Sequence, residues 1–256
     1  MTETRPSVLI TGGAKRIGAA IARGFADAGW HVVIHYRSSA NAAQALAASL
    51  PSAETIQCDL ADGDAAVAMV RSLAERLPDW RALVNSAAVF EPDDVTALDS
   101  ATNRKAMEIN ARTPARMAQA YLAHAQSHVG RRVIQVTDQK VANPNPDFFS
   151  YTMSKHALDA TIAMLSMGAT LRNDRVYGLA PGAILASHDQ SDAEAEVSHR
   201  LNLLERRTEE LEIADAAVFL AEGHLASGQT LYCDSGQHLL RQSRDVIYLA
   251  RDGKTA

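Results

Sequence analysis

Two rhythms of apolar and polar positions take turns along this chain. Short apolar runs read as strands covered on both faces, and stretches with apolar residues three or four apart read as helices with one apolar stripe. Val8-Leu9-Ile10 is the first run, and Ile17, Ile21 and Phe25, with Ala20 and Gly24 beside them, mark the first helix. The pattern then predicts a strand at His31 to Tyr36, a helix from about Ala40 to Leu50, and a strand from Thr55 to Cys58 that ends at Asp59-Leu60. Val67, Val70, Leu73 and Leu77 give the next helix face, followed by a short strand from Ala82 to Asn85. Two helical patterns run from about Ala101 to Ala125, a fifth strand covers Arg132 to Thr137, and a helix covers about Ser150 to Gly168. A sixth strand, Arg175 to Leu179, runs into Pro181-Gly182, and from Ala183 to Arg207 the pattern weakens. That polar segment suits a substrate lid or a plain surface insertion equally well. A helix from Glu210 to Ala221 and a strand from Gln229 to Cys233 close the series. Beyond Leu239, Val246-Ile247-Tyr248-Leu249 is apolar enough to pack on a neighbouring subunit, though a frayed tail is the default for such an end. Strand and helix alternate almost without interruption, which predicts one α/β domain over residues 1–256: a doubly wound parallel sheet with helices on both faces.

Composition narrows the function classes. With 256 residues and 47% hydrophobic content the chain has ample core for one domain. Its formal net charge of -5, with no cluster of Lys and Arg, disfavours nucleic acid as a partner. No apolar run approaches the ~20 residues of a membrane span and no charged-then-apolar leader opens the chain, so a soluble cytoplasmic protein is expected. Cys58 and Cys233 lack metal-ligand spacing and no metal site is expected. In a doubly wound sheet the third and seventh strands lie toward opposite edges, so no disulfide should join them.

Candidate chemistry begins in the turn from Thr11 to Gly18. Gly12 lets the chain leave the strand sharply, and Gly18 lacks a side chain where helix and strand would press together. The free N–H groups at the following helix start favour an anion such as a dinucleotide pyrophosphate. Standing alone, an ordinary glycine-rich turn would look the same. The end of the second strand bears on the nucleotide. The acidic residue that holds the ribose of NAD, about 20 residues beyond the glycines, is missing. The chain instead reads His35, Tyr36, Arg37, Ser38, Ser39, and a guanidinium with hydroxyls suits the 2′-phosphate of NADP. On the helix after strand five, Tyr151 and Lys155 share one face. A lysine cation beside a phenol favours the phenolate, which would lower the tyrosine pKa and make Tyr151 a usable acid/base group. By spacing alone this pair also fits a plain amphipathic face.

Taken together and in order, these pieces resemble the short-chain dehydrogenase/reductase family from Val8 to about His238. The matching motifs are the Thr11 to Gly18 turn, Asp59-Leu60, Asn85 in Asn85-Ser86-Ala87-Ala88, Asn110, Tyr151-x3-Lys155, Pro181-Gly182 and Gly228-Gln229. The resemblance implies that Tyr151 donates a proton, that Lys155 binds the nicotinamide ribose and tunes Tyr151, and that Asn110 helps hold a relay water. It places Asp59, with Leu60, at the adenine and Asn85 in support of the sheet and cofactor. Gly12, Arg16, Ile17, Gly18, Ala87, Pro181 and Gly182 would complete the cofactor contacts. Ser86 and Ala88 depart from the usual Asn-Asn-Ala-Gly, and Asp138 stands where the family has its active-site serine.

Those departures, with Thr-Gly-x3-Arg-x-Gly and the His-Tyr-Arg-Ser strand end, are similar to the pteridine and dihydromonapterin reductases. That resemblance implies Arg16 facing cofactor phosphates and substrate, Phe90 stacking on a pterin, and Asp138 and Tyr151 at its reacting atoms. The chain is therefore expected to be an NADPH-dependent reductase of a dihydropterin C=N bond, built as a homotetramer or homodimer. A carbonyl or 3-ketoacyl reductase, and a regulator that binds NADP(H) without turnover, are the alternatives.

Overall fold

Within the central strands, neighbouring residues face opposite layers and both layers are apolar, so these strands are held from two sides, while the two edge strands are only half-buried. The computed structural model describes residues 5–168, 171–187 and 190–253. Seven parallel strands form one sheet in the order β3-β2-β1-β4-β5-β6-β7: β1 (Ser7–Ile10), β2 (His31–Tyr36), β3 (Ala53–Gln57), β4 (Trp80–Asn85), β5 (Arg132–Val136), β6 (Arg175–Pro181) and β7 (Thr230–Cys233). The doubly wound fold expected from the pattern is present.

Val8 and Ile10 point into one layer with Val32, Ile34, Val84 and Ile134, where α1 (Arg16–Asp27) and α8 (Glu210–Glu222) cover them through Ile21, Phe25, Ile213 and Leu220. Leu9, Val33, Leu83 and Val133 point the other way, onto Val70, Leu73, Met117, Tyr121 and Ile162 of α3 (Gly63–Arg76), α5 (Thr113–His124) and α6 (Phe149–Gly168). Each such fully buried aliphatic side chain stabilises the fold by ~1.5–3 kcal/mol. The remaining helices are α2 (Ala40–Ser49), α4 (Ser100–Met107), α7 (Asp192–Ser198) and α9 (Val246–Arg251).

Three expectations need correction. The stretch from 101 to 125 carries a π-helical turn, Glu108–Arg112, between α4 and α5, and Asn110 sits in it. The 183–207 segment is not wholly irregular, because Ser191 and Glu194 form a capping box that starts α7. The C-terminal stretch is ordered through residue 253 rather than frayed: Asp245 caps α9, and its apolar run folds back onto this chain's own β5–α6 region.

The chain builds β1, β2 and β3 in one direction and then crosses to the other side of β1 for β4. The crevice for a ligand therefore opens at the carboxyl ends of β1 and β4. Cys58 follows β3 and Cys233 ends β7, at opposite edges of the sheet, and both are free thiols. Burial pushes the Cys58 thiol up, and that of Cys233 up to about 11, so neither is poised to react. Among the described residues no helix is long and apolar enough to cross a membrane, and no cluster of His, Cys, Asp and Glu could hold a metal ion.

Candidate active site

The crevice begins at the turn after β1. Gly12 lies at φ +65, and a Cβ there would stand 3.0 Å from the backbone of Ala87. Gly18 packs directly on this turn, since a Cβ on it would lie 2.3 Å from the Gly12 carbonyl oxygen. Two side chains then lock the turn. Thr11 Oγ1 accepts from the N–H groups of Ser86 (2.9 Å) and Ala87 (3.0 Å), tying it to the end of β4. His35, buried at the end of β2, accepts from the Gly12 N–H through Nδ1 (3.1 Å), which leaves Nε2–H to donate to the Cys58 carbonyl (3.1 Å). Burial lowers this imidazole to about 4, so it stays in the neutral form that those two bonds require.

At the first position of α1, Arg16 lies at φ 53, in the left-handed region. Its guanidinium donates to the carbonyls of Ala186 (2.9 Å) and Leu185 (3.4 Å), fastening the glycine turn to the segment after β6. The start of α1 has no side-chain cap and no acid in its first turn, and Lys15 and Arg16 stand beside it. Its N–H groups and positive dipole end thus favour an anion.

Across the crevice, β5 delivers Asp138 and α6 delivers Tyr151. The Tyr151 hydroxyl donates to Asp138 Oδ2 at 2.6 Å, and Asp138 Oδ1 accepts from the Lys140 N–H at 2.9 Å. Burial lifts the Asp138 carboxyl above the usual range, against the pull of Lys140, the phenol and Lys155. The Tyr151 pKa is raised well above its ordinary value, by burial first and then by the Asp138 carboxylate. The expected lowering by Lys155 is therefore wrong for this arrangement. Lys155 Nζ donates to the Val136 carbonyl (2.7 Å) and lies 5.6 Å from the centre of the Tyr151 ring, while a carboxylate touches the phenol itself. Burial lowers Lys155 to about 8.

Asn110 is brought to α6 by the π-helical turn. Its amide donates to Val89 O (2.9 Å) and Ser154 Oγ (3.0 Å) and accepts from the Val89 N–H (2.8 Å). Both of its N–H groups are thus spent, one on the backbone just before Phe90 and one on the Ser154 hydroxyl of α6. Phe90 stacks on Phe148 with centroids 4.0 Å apart and meets the Tyr151 ring edge-on at 4.7 Å. One of its two faces is already covered. Phe148, like Arg16, holds a left-handed φ (54), a strained conformation at the rim of the site.

Of these groups, Gly12, Arg16, Gly18, Phe90, Asp138, Lys140 and Tyr151 line one cleft of about 440 Å³, which also takes in Ser86, Gly182, Gln139, His199 and Val246, while Lys155 and Asn110 are not part of its lining. A family model described as "Enoyl-(Acyl carrier protein) reductase" matches residues 12–238, the span that contains this geometry except for Thr11 and the C-terminal segment. The chain belongs to the short-chain dehydrogenase/reductase family. Among similar proteins of known function, dihydromonapterin reductase of Escherichia coli K12 is 27% identical over 244 residues, covering 93% of this chain and all of that one. Pteridine reductase 1 of Leishmania tarentolae is 26% identical over 284 residues, covering 93% of this chain and 98% of that one. The crystal structure of FolM alternative dihydrofolate reductase 1 from Brucella canis with NADP superposes with a TM-score of 0.87 at 32% identity, covering 94% of this chain and 97% of that one.

As in a short-chain dehydrogenase/reductase built on the doubly wound plan, the sites expected from the sequence fall into two groups. Gly12, Arg16, Ile17, Gly18, Ala87, Phe90, Asp138, Tyr151 and Gly182 line the cleft. Tyr36, Arg37, Ser38 and Asp59 lie outside it, at the open carboxyl ends of β2 and β3, where Arg37, Ser38 and Asp59 are exposed. Leu60 is buried in the core and offers a ligand no side-chain surface. Asn85 donates to Gln135 Oε1 (2.9 Å) and Pro114 O (3.3 Å), a brace across β4 and β5. Gly182 follows the β6 residue Pro181 so closely against Asp234 and Gln237 that a Cβ would collide with them.

Four participants escaped the sequence reading: Thr11 and His35 as locks on the glycine turn, and Lys140 and Asp245. Lys140 Nζ bonds Asp245 Oδ2 at 2.7 Å with both side chains buried. The apolar run that follows Asp245 was the only available sign, and nothing local joins residues 105 positions apart.

Proposed function

We propose that this chain is an NADPH-dependent reductase that adds hydride and a proton across the C=N bond of a dihydropterin. The observation that carries the reading is the 2.6 Å bond from the Tyr151 phenol to the Asp138 carboxylate, beside Phe90 in a cleft that opens on the glycine turn. A serine hydroxyl at position 138 could donate to a substrate carbonyl, whereas a carboxylate can only accept and would oppose the oxyanion of ketone reduction. Beside a ring nitrogen that must gain a proton, the same carboxylate is useful. The names of the similar proteins point the same way.

The residues present fit a phosphorylated dinucleotide. The uncapped start of α1 and the turn that Gly12 keeps clear suit its pyrophosphate, and Arg37 with Ser38 and no adjacent acid suits a 2′-phosphate. Bound there, NADPH supplies the hydride. The chain's own residues do the rest. Lys155 binds the ribose next to the reacting ring, and Phe90 packs against the flat substrate. Tyr151 and Asp138 share a proton and pass it to the nitrogen of the reduced bond, to be refilled from solvent.

We assign the enzyme to the cytoplasm as a homotetramer or homodimer. The apolar groove along α6, lined by Val95, Met107, Pro146, Phe149 and Met153, supports self-association. Following NADPH oxidation against dihydromonapterin, dihydrobiopterin, dihydrofolate and an acetoacetyl thioester tests the function. A clear preference for a pterin supports it, and faster reduction of the thioester overturns it.

A further inference from the structure

The family match ends at residue 238, yet the chain continues and returns to the cleft. Gln242 donates to the Leu201 carbonyl (2.8 Å), and Arg244 holds Asp147 through both carboxylate oxygens (3.0 and 2.8 Å). Asp245 pairs with Lys140, two residues beyond Asp138. From α9, Arg251 bonds Glu194 of α7 at 2.9 Å. Between these ties, Val246 and Ile247 face the cleft, and Ile247 is buried among Phe148, Tyr151 and Phe90.

We infer that the C-terminal segment, with Ile247 at its centre, is the wall that sets which substituent the substrate can carry. The inference rests on the dihydropterin reading. In a 7,8-dihydropterin the substituent hangs from the carbon of the reduced C=N bond, so it leaves the ring within reach of Tyr151, where Ile247 stands. The cleft of about 440 Å³ must also receive the nicotinamide end of the cofactor, and it lies toward the small end of the ~300–1,000 Å³ usual for ligand pockets. A short hydroxylated side chain fits beside this wall. The long aryl tail of dihydrofolate requires it to yield. The wall is stitched by ion pairs to three separate elements, and the Lys140–Asp245 pair is buried, so its position is determined by the chain itself.

The test compares kcat/KM for dihydrofolate with that for dihydromonapterin in the wild type, in Ile247→Ala, and in the double variant Val246→Ala/Ile247→Ala, all as full chains. The expected result is a ratio at least ten-fold higher in both variants, with NADPH affinity unchanged. An unchanged ratio in Ile247→Ala, or an equal loss of both activities at normal NADPH affinity, overturns the assignment. Hydrogen exchange of the α9 amides gives a readout that needs no substrate: slow exchange in the full chain is expected, and exchange as fast as an unfolded peptide overturns the wall. If the full chain reduces no dihydropterin, the proposed function fails and the assignment of substituent choice fails with it, whereas normal dihydromonapterin turnover with an unchanged ratio in Ile247→Ala overturns the wall alone.

Discussion

Replacing Asp138 by serine separates pterin from carbonyl chemistry. The serine side chain is one heavy atom shorter, so its hydroxyl cannot stand where Oδ2 accepts the Tyr151 proton at 2.6 Å. Three things are lost: the charge-assisted bond that aims the phenol, the second carrier of the proton, and the carboxylate that helps hold the Tyr151 pKa up. A positioned acid or base contributes roughly 10²–10⁴-fold. At ~1.36 kcal/mol per decade the barrier should rise by at least about 2.7 kcal/mol. Asp138 lies across the crevice from the glycine turn, so NADPH affinity should stay nearly unchanged. Single-turnover NADPH oxidation with dihydromonapterin reads the chemical step, and cofactor fluorescence reads binding. Asp138→Ser should lower the first by roughly a hundred-fold or more. Tyr151→Phe should do at least as much damage, and the double variant should be little worse than the poorer single one, because the pair acts as a unit. Full pterin turnover in Asp138→Ser would refute the proton-carrying role and leave only the family assignment.

Three further outcomes follow from other residues. Arg37→Asp should erode or invert a preference for NADPH over NADH, since one lost charge-assisted phosphate contact costs about 1.5–3 kcal/mol; equal titration of both nucleotides by the wild type would show the strand end misread. Activity should fall as pH rises through about 8, where buried Lys155 loses its proton, while Tyr151 stays protonated well above that; kcat/KM against pH should lose this limb in Lys155→Met, and a limb that persists there belongs to another group. His35 has its pKa lowered to about 4 in the folded protein against 6.5 for the free side chain. The unfolded chain therefore protonates first as pH falls, and stability present above 6.5 is lost on the way down to about 4, by up to roughly 3 kcal/mol. Urea unfolding at pH 7 and pH 4.5 should show wild type losing more stability than His35→Asn, and equal losses would rule out this neutral brace.

How far the sequence reaches depends on how local the cause is. Strand runs such as Val8-Leu9-Ile10 and the stripe Ile17, Ile21, Phe25 declare themselves because periodicity is a property of neighbours. The same holds for Gly12 and Gly18, whose need for a bare Cα arises within one turn, and for Tyr151 and Lys155, which share a helix face. Asp138 was legible as a departure from a family pattern. The sign of the Tyr151 shift was not, because it depends on which charge touches the phenol, and only the packing of β5 against α6 puts the carboxylate there and turns the ammonium toward Val136. His35 read as one polar residue among five at a strand end, and it became a brace only when β1, β2 and β3 closed around it. The C-terminal stretch went furthest from expectation. Its apolar run was plain in the sequence, but the partner was not, since Lys140 and Asp245 meet across 105 residues through the return of the chain over its own cleft. Local pattern determines which segments need burial; the assembled sheet decides what each is buried against.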